Sequence, residues 1–90
     1  MNCYIVLYEL NSLGSECEKL HNALRKYVRW GRLTENAWVV VTDKTHLQII
    51  DELRIFIKPG ERLFVIKNGK QAAWLNAMAS SEWLSETLSM

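Results

Sequence analysis

Cysteine, proline and glycine are scarce in this chain: two, one and four residues out of 90. Two cysteines cannot build the disulfide framework that small extracellular domains use in place of a large core. Cys3 falls in a strand-like run and Cys17 in a helix-like one, both on apolar faces where a thiol packs as a small hydrophobe. Long apolar runs are missing as well. No segment approaches the ~20 residues that span a bilayer, and the N-terminus has neither the basic start nor the small-residue cleavage site of a signal peptide. A cytoplasmic protein without membrane contacts is therefore expected. Charge of one sign is also lacking: eleven Lys and Arg stand against ten Asp and Glu, for a net charge of +1. Any electrostatic site has to be local. There is no glycine-rich phosphate loop, no serine nucleophile motif and no pair of carboxylates at a fixed catalytic spacing. Cys17 and His21, four apart on one helix, are too few to make a zinc site, and core packing is the better account of them.

What is present is hydrophobic content of 49% against 23% charged residues, without a low-complexity tract, repeat or linker. That composition predicts a single folded domain over residues 1–90. CYIVLYE, Cys3 to Glu9, reads as a strand with Cys3, Ile5, Leu7 and Glu9 on one face and Tyr4, Val6 and Tyr8 on the other. After the loop-like Asn11-Ser12-Leu13-Gly14, Ser15 and Glu18 form a capping box. They open a helix whose Cys17, Leu20, Leu24, Tyr27 and Val28 share a stripe, and Gly31 should end it. A short strand near 32–35, a turn or bulge at Asn36 and a stronger strand at 37–42 follow. Thr45 and Gln48 cap a second helix with Leu47, Ile50, Leu53 and Ile57 inward, closed by Pro59-Gly60. RLFVIK, 62–67, is another strand. Asn68-Gly69 signals a hairpin that returns QAAWLNA as a strand. SSEWLSETL is a short helix capped by Ser80 or Ser81, with Leu84 and Leu88 inward. The order predicts an α+β, ferredoxin-like βαββαβ sandwich with an extra C-terminal strand and short helix.

The pattern also bears on assembly. Two long helices cover one face of such a sheet, yet the strands at 3–9, 37–42 and 62–67 are apolar on both faces. A second copy of the chain or its own tail must cover the other face, and a homodimer is the commoner solution for so small a domain. Tyr8, Trp74, Trp83 and the tail from about residue 70 are the expected dimer contacts, with the two tryptophans equally suited to filling the core of their own chain.

Two local features could carry chemistry. Glu9 ends an apolar strand on a carboxylate, either because the chain meets water or an arginine there or because it is an active-site ligand. RKYVRWGR, residues 25–32, gathers Arg25, Lys26, Arg29 and Arg32 around Trp30. That combination suits a nucleic-acid backbone with a base to stack. In a chain so nearly neutral it better suits a helix C-terminus, where cations complement the dipole and the aromatics tuck into the core.

IVLYEL closing the first strand, NSLGSECEKLHNAL after it, ENAWVVVTDKTHLQIIDEL leading into the second helix, ERLFVIKNG, a late tryptophan and a short terminal helix together have a familiar outline. It resembles the small CRISPR-associated Cas-two proteins and, more closely, their VapD and SinR-like relatives of bacteria and phages. The resemblance covers nearly all the chain through its pattern of strands and helices. It implies a ferredoxin-like homodimer in which the tail strand of one subunit extends the sheet of the other. It also implies a divalent metal, Mg or Mn, held by an acid at the end of the first strand and used to cut RNA or DNA. Position 9 matches that place, with Glu9 where the family carries aspartate. On this resemblance Glu9 is the candidate catalytic and metal-binding residue, shared across a two-fold axis. Asn11 would donate to a phosphate or orient the attacking water, and Arg25, Arg29 and Arg32 would hold the nucleic acid. The expected function is a metal-dependent endonuclease in a defence, toxin or mobile-element setting. The alternative is a catalytically silent homodimer that serves as a binding or scaffold module.

Overall fold

The computed structural model describes residues 1–11 and 15–90, and of residues 15 and 16 the backbone alone. In chain order the elements are β1 (Asn2–Glu9), α1 (Ser15–Leu24), β2 (Arg29–Thr34), β3 (Ala37–Thr42), α2 (His46–Leu53), β4 (Arg62–Lys67) and α3 (Ser81–Thr87). A 3-10 turn, Arg54–Phe56, extends α2. The strands form one antiparallel sheet in the order β2-β3-β1-β4, the ferredoxin-like arrangement. Among the described residues no helix is long and apolar enough to cross a membrane.

Alternation along the strands sorts the core into two layers. Tyr4, Val6 and Tyr8 of β1, with Trp38 and Val40 of β3, point to the side where Leu20 and Leu24 of α1 and Ile49 and Leu53 of α2 meet them. Cys3 of β1, with Val39 and Val41 of β3, points the other way, against Leu84 of α3 and Leu88 just beyond it. Burial pushes the Cys3 thiol up, with Arg29 acting weakly the other way, so it packs as an apolar group. β3 is buried along its whole length.

Local signals explain most boundaries. Thr45 Oγ1 accepts from the Gln48 N–H at 3.2 Å, and Gln48 Oε1 accepts from the Thr45 N–H at 2.8 Å, the reciprocal pair that opens α2. Ser80 Oγ accepts from the Trp83 N–H at 3.2 Å and opens α3. The capping box at Ser15 and the loop at 12–14 lie outside the described residues.

Four expectations need correction. α1 ends at Leu24, not at Gly31, through short-range bonds from Lys26 N–H to Ala23 C=O and from Tyr27 N–H to Leu24 C=O. Val28 is consequently exposed. Gly31 lies inside β2 because a Cβ there would sit 2.6 Å from the Trp83 ring: it is the recess that receives this tryptophan. In α2 the fully buried pair is Ile49 and Leu53, four apart, which turns Leu47 to solvent and leaves Ile50 half-buried; Ile57 lies beyond the helix but packs against the core as expected.

The fourth correction is that the C-terminal strand does not form. Neither Asn68 nor Gly69 adopts the left-handed backbone that a tight hairpin turn requires. Asn68 instead continues the β4–β1 ladder, its N–H donating to Cys3 C=O at 2.9 Å. Its side chain donates to Leu88 C=O at 2.7 Å and so ties down the end of α3. The segment 70–80 is irregular, and it meets the sheet at the β2 edge, where Met78 and Ala79 N–H groups donate to Leu33 and Arg32 C=O. The chain's own tail thus covers the β2–β3 half of the second face.

Candidate functional site

Glu9 is the last residue of β1 and stands opposite Arg62 in the ladder. That register makes them partners: Arg62 Nη1 donates to Glu9 Oε1 at 3.1 Å, and the Glu9 side chain remains 68% exposed. The carboxylate therefore meets both water and an arginine. A cleft of about 400 Å³ adjoins it, lined by Leu7, Asn36, Arg62 and Phe64 among others. Asn11 is nearby in sequence but engaged elsewhere through its backbone, which donates to Glu61 Oε2 at 2.7 Å. Among the described residues no three of His, Cys, Asp and Glu are gathered closely enough to hold an ion. Among the described residues Glu9 offers one carboxylate, already beside a guanidinium, so Mg or Mn there would have to take its remaining oxygen ligands from water, phosphate or a second copy.

On the helix side of the same sheet end, a polar network is buried where the sequence reading placed only packing. Tyr8, expected at a subunit interface, is 4% exposed within its own chain. Its hydroxyl receives Trp38 Nε1–H at 2.8 Å, donates to Glu35 C=O at 3.0 Å and lies 2.9 Å from His21 Nε2. One hydroxyl proton cannot serve two acceptors, so all three contacts are satisfied when a neutral His21 carries its proton on Nε2. The environment favours that neutral form. Burial and then the Arg32 charge push the His21 pKa down, against a weaker opposite pull from Glu18. Burial likewise pushes the Tyr8 phenol up. The arrangement is a hydrogen-bond hub centred on the Tyr8 hydroxyl.

The basic stretch is divided between the two faces by strand alternation. Arg32 lies over the Trp38 ring at 5.2 Å and donates to Glu35 C=O at 2.8 Å. Arg25 lies over Trp30 and Trp38 at 5.9 and 5.7 Å. Arg29 projects to the opposite face, over Trp83 at 5.8 Å, and donates to Thr87 Oγ1 at 3.2 Å. Each of the three arginines is thus stacked on an aromatic ring of its own chain. Arg25 and Arg32 are brought together, whereas Arg29, Glu9 and Asn11 are not part of their cluster.

A second unforeseen constellation fastens the end of α1 to α2. Tyr27 donates to Glu52 Oε1 at 2.8 Å, and Lys44 pairs with the other oxygen. Burial and the Glu52 carboxylate push the Tyr27 phenol up. Burial acts to raise Glu52, and hydrogen bonds from Lys44 and Tyr27 outweigh it and hold the carboxyl low.

The β1–β4 half of the second face is an open apolar surface. The register sets Leu7 beside Phe64 and Ile5 beside Ile66, four apolar side chains on one surface. Phe64 is 62% and Ile66 44% exposed. The irregular tail forms one wall over them, leaving a groove of about 470 Å³ lined by Ile5, Ile66, Trp74, Leu75 and Ala77 among others. Of the other residues expected at a subunit interface, Trp83 is seated in the Gly31 recess of its own chain, while Trp74 lines this groove and donates to Ser81 Oγ at 3.3 Å. No family model, curated protein or solved structure matches the chain.

Proposed function

We propose that the chain is a binding or scaffold module that acts as a homodimer and catalyses no reaction. The observation that carries this reading is the contiguous apolar surface of Leu7, Phe64 and Ile66, bordered by Trp74 and Leu75 and left uncovered by the tail. Exposed apolar patches rimmed by polar groups mark protein contacts more often than chemistry. The polar groups nearby are committed to one another: Glu9 to Arg62, and Tyr8 to Trp38, Glu35 and His21. Sedimentation at micromolar concentration should give a species of twice the 10.5 kDa chain mass. A monomer under those conditions would overturn the proposal.

A second reading, a divalent-metal nuclease of the Cas-two and VapD-like type acting on RNA or DNA through Glu9, is favoured by one observation. The Glu9 carboxylate is open to solvent at the mouth of a cleft that also holds Arg62 and Asn36. Labelled RNA and DNA incubated with Mg or Mn discriminate the two. The module reading expects no difference between wild type and Glu9→Ala, whereas cleavage lost in the variant would establish the nuclease.

A further inference from the structure

An antiparallel ladder alternates between residues that bond to the neighbouring strand and residues that turn their N–H and C=O the other way. In β4 the bond from Asn68 N–H to Cys3 C=O fixes that phase. Residues 62, 64, 66 and 68 bond toward β1, and Leu63, Val65 and Lys67 direct their backbone groups to the outer edge. No other strand pairs there, and no backbone hydrogen bond among the described residues reaches these three. The opposite edge of the sheet is closed differently, since β2 C=O groups already receive the tail N–H groups of Met78 and Ala79. One edge is thus an open template and the other is blunted.

We infer that β4 pairs with β4 of a second copy, antiparallel and centred on Val65, joining the two sheets into one of eight strands. This rests on the homodimer reading above and specifies its seam. The register follows from the phase. Centring on Val65 pairs Leu63 with the partner's Lys67, Val65 with the partner's Val65 and Lys67 with the partner's Leu63, so every outward N–H and C=O of β4 finds a mate. A shift that centres the pair on Phe64 or Ile66 leaves one of the three residues without a partner. The same register brings Phe64 against the partner's Ile66, twice, on the open face. These are the closely spaced, non-hydrogen-bonded positions of the new ladder, where cross-strand side chains interact most. The stripe of Leu7, Phe64 and Ile66 then runs unbroken across the two-fold axis, and the blunted β2 edges stop assembly at two.

The arrangement has a consequence for Glu9. Its partner Arg62 lies three residues from the axis, so the two copies of this sheet end stand about 20 Å apart along the strands at ~3.4 Å per residue. The two carboxylates then cannot share one metal ion.

The test combines sedimentation with cysteine cross-linking of the full chain. Val65→Cys should oxidise to a disulfide-linked dimer, because a dyad pair places its two Cα atoms ~5.5 Å apart, within disulfide range. Leu63→Cys and Lys67→Cys should each cross-link poorly alone and readily when mixed. Val65→Pro removes an outward N–H, a change edge strands tolerate, and should weaken association about tenfold or more while the circular dichroism spectrum is kept. A dimer in which Val65→Cys fails to cross-link, or in which Leu63→Cys links to itself as readily as to Lys67→Cys, would overturn the seam and leave the module reading intact. A monomeric wild type would overturn both.

Discussion

β3 and β4 lie on either side of β1, run in the same direction and have comparable sequences, AWVVVT and RLFVIK. β3 is buried at every position, whereas β4 leaves Phe64 and Ile66 in water. The difference lies in what the chain has left to cover them. A helix is about 10 Å wide and strands are ~4.8 Å apart, so one helix covers roughly two strands. α1 and α2 together suffice for the four strands of the helix side. α3 alone cannot cover four on the other, and its anchors choose the β2–β3 half: Trp83 in the Gly31 recess, Leu84 and Leu88 on Cys3, Val39 and Val41. Apolar alternation on both faces therefore says that a strand is to be covered without saying by what.

The sealed half is the place where the contrast breaks most severely. Leu84→Ala removes a fully buried side chain from the smaller of the two cores, where few neighbours can collapse into the space. The expected loss is about 3 kcal/mol, read as a lowered urea midpoint with the slope nearly unchanged. A loss below ~1 kcal/mol would mean that α3 is not an integral part of the fold. Gly31→Ala comes next. Its Cβ would lie under 3 Å from two atoms of the Trp83 ring, so the ring must move or the strand must bend, at a cost of about 2 kcal/mol. Adding Trp83→Leu should recover part of that loss, a coupling between the two positions that independent sites would not show.

These residues also mark what could be read before the structure. The ranges 37–42 and 62–67, the Thr45–Gln48 box and the Ser80 cap are all set by neighbours within a few positions, and local pattern was enough to find them. Gly31 reads locally as a helix terminator, because its real reason, a tryptophan 52 positions later, is not local. The same holds for the site. The possibility that Glu9 pairs with an arginine was visible, but Arg62 as the partner follows only from the β1–β4 register. Tyr8 reads from the sequence as a subunit contact and His21 as plain packing, whereas both are buried with Trp38 in one layer, and a tyrosine, an indole N–H and an imidazole within reach of that layer are the signal of a buried network. Which atoms meet depends on how α1 is set across the sheet.

That network tests the helix side of the comparison by pH. A neutral His21 whose pKa is pushed down in the fold takes up its proton less readily than the unfolded chain does. Its contribution to stability is complete above the ordinary histidine value of ~6.5 and is lost as pH falls from there toward the lower folded value. The groups facing it are Glu18, Arg25 and Arg32, with the Tyr8 hydroxyl on Nε2. The urea midpoint should therefore fall between pH 7.5 and 5.5, by less than either substitution above lowers it. His21→Gln should flatten that slope, and an unchanged slope in the variant would assign the effect to another group.

The smallest expected effect is the one that most sharpens the difference between the two halves. Phe64→Thr exchanges an exposed aromatic for a residue with good strand propensity, leaving the β1–β4 ladder and the buried neighbours intact. At a concentration low enough to keep the chain monomeric, its cost should lie within about 0.5 kcal/mol, as for other surface positions. Raising the protein concentration should then separate the two proteins. Wild type gains stability by mass action as copies associate, and the variant gains less. A large loss already at high dilution would mean that Phe64 is covered within the single chain, and the openness of β4 would no longer distinguish it from β3.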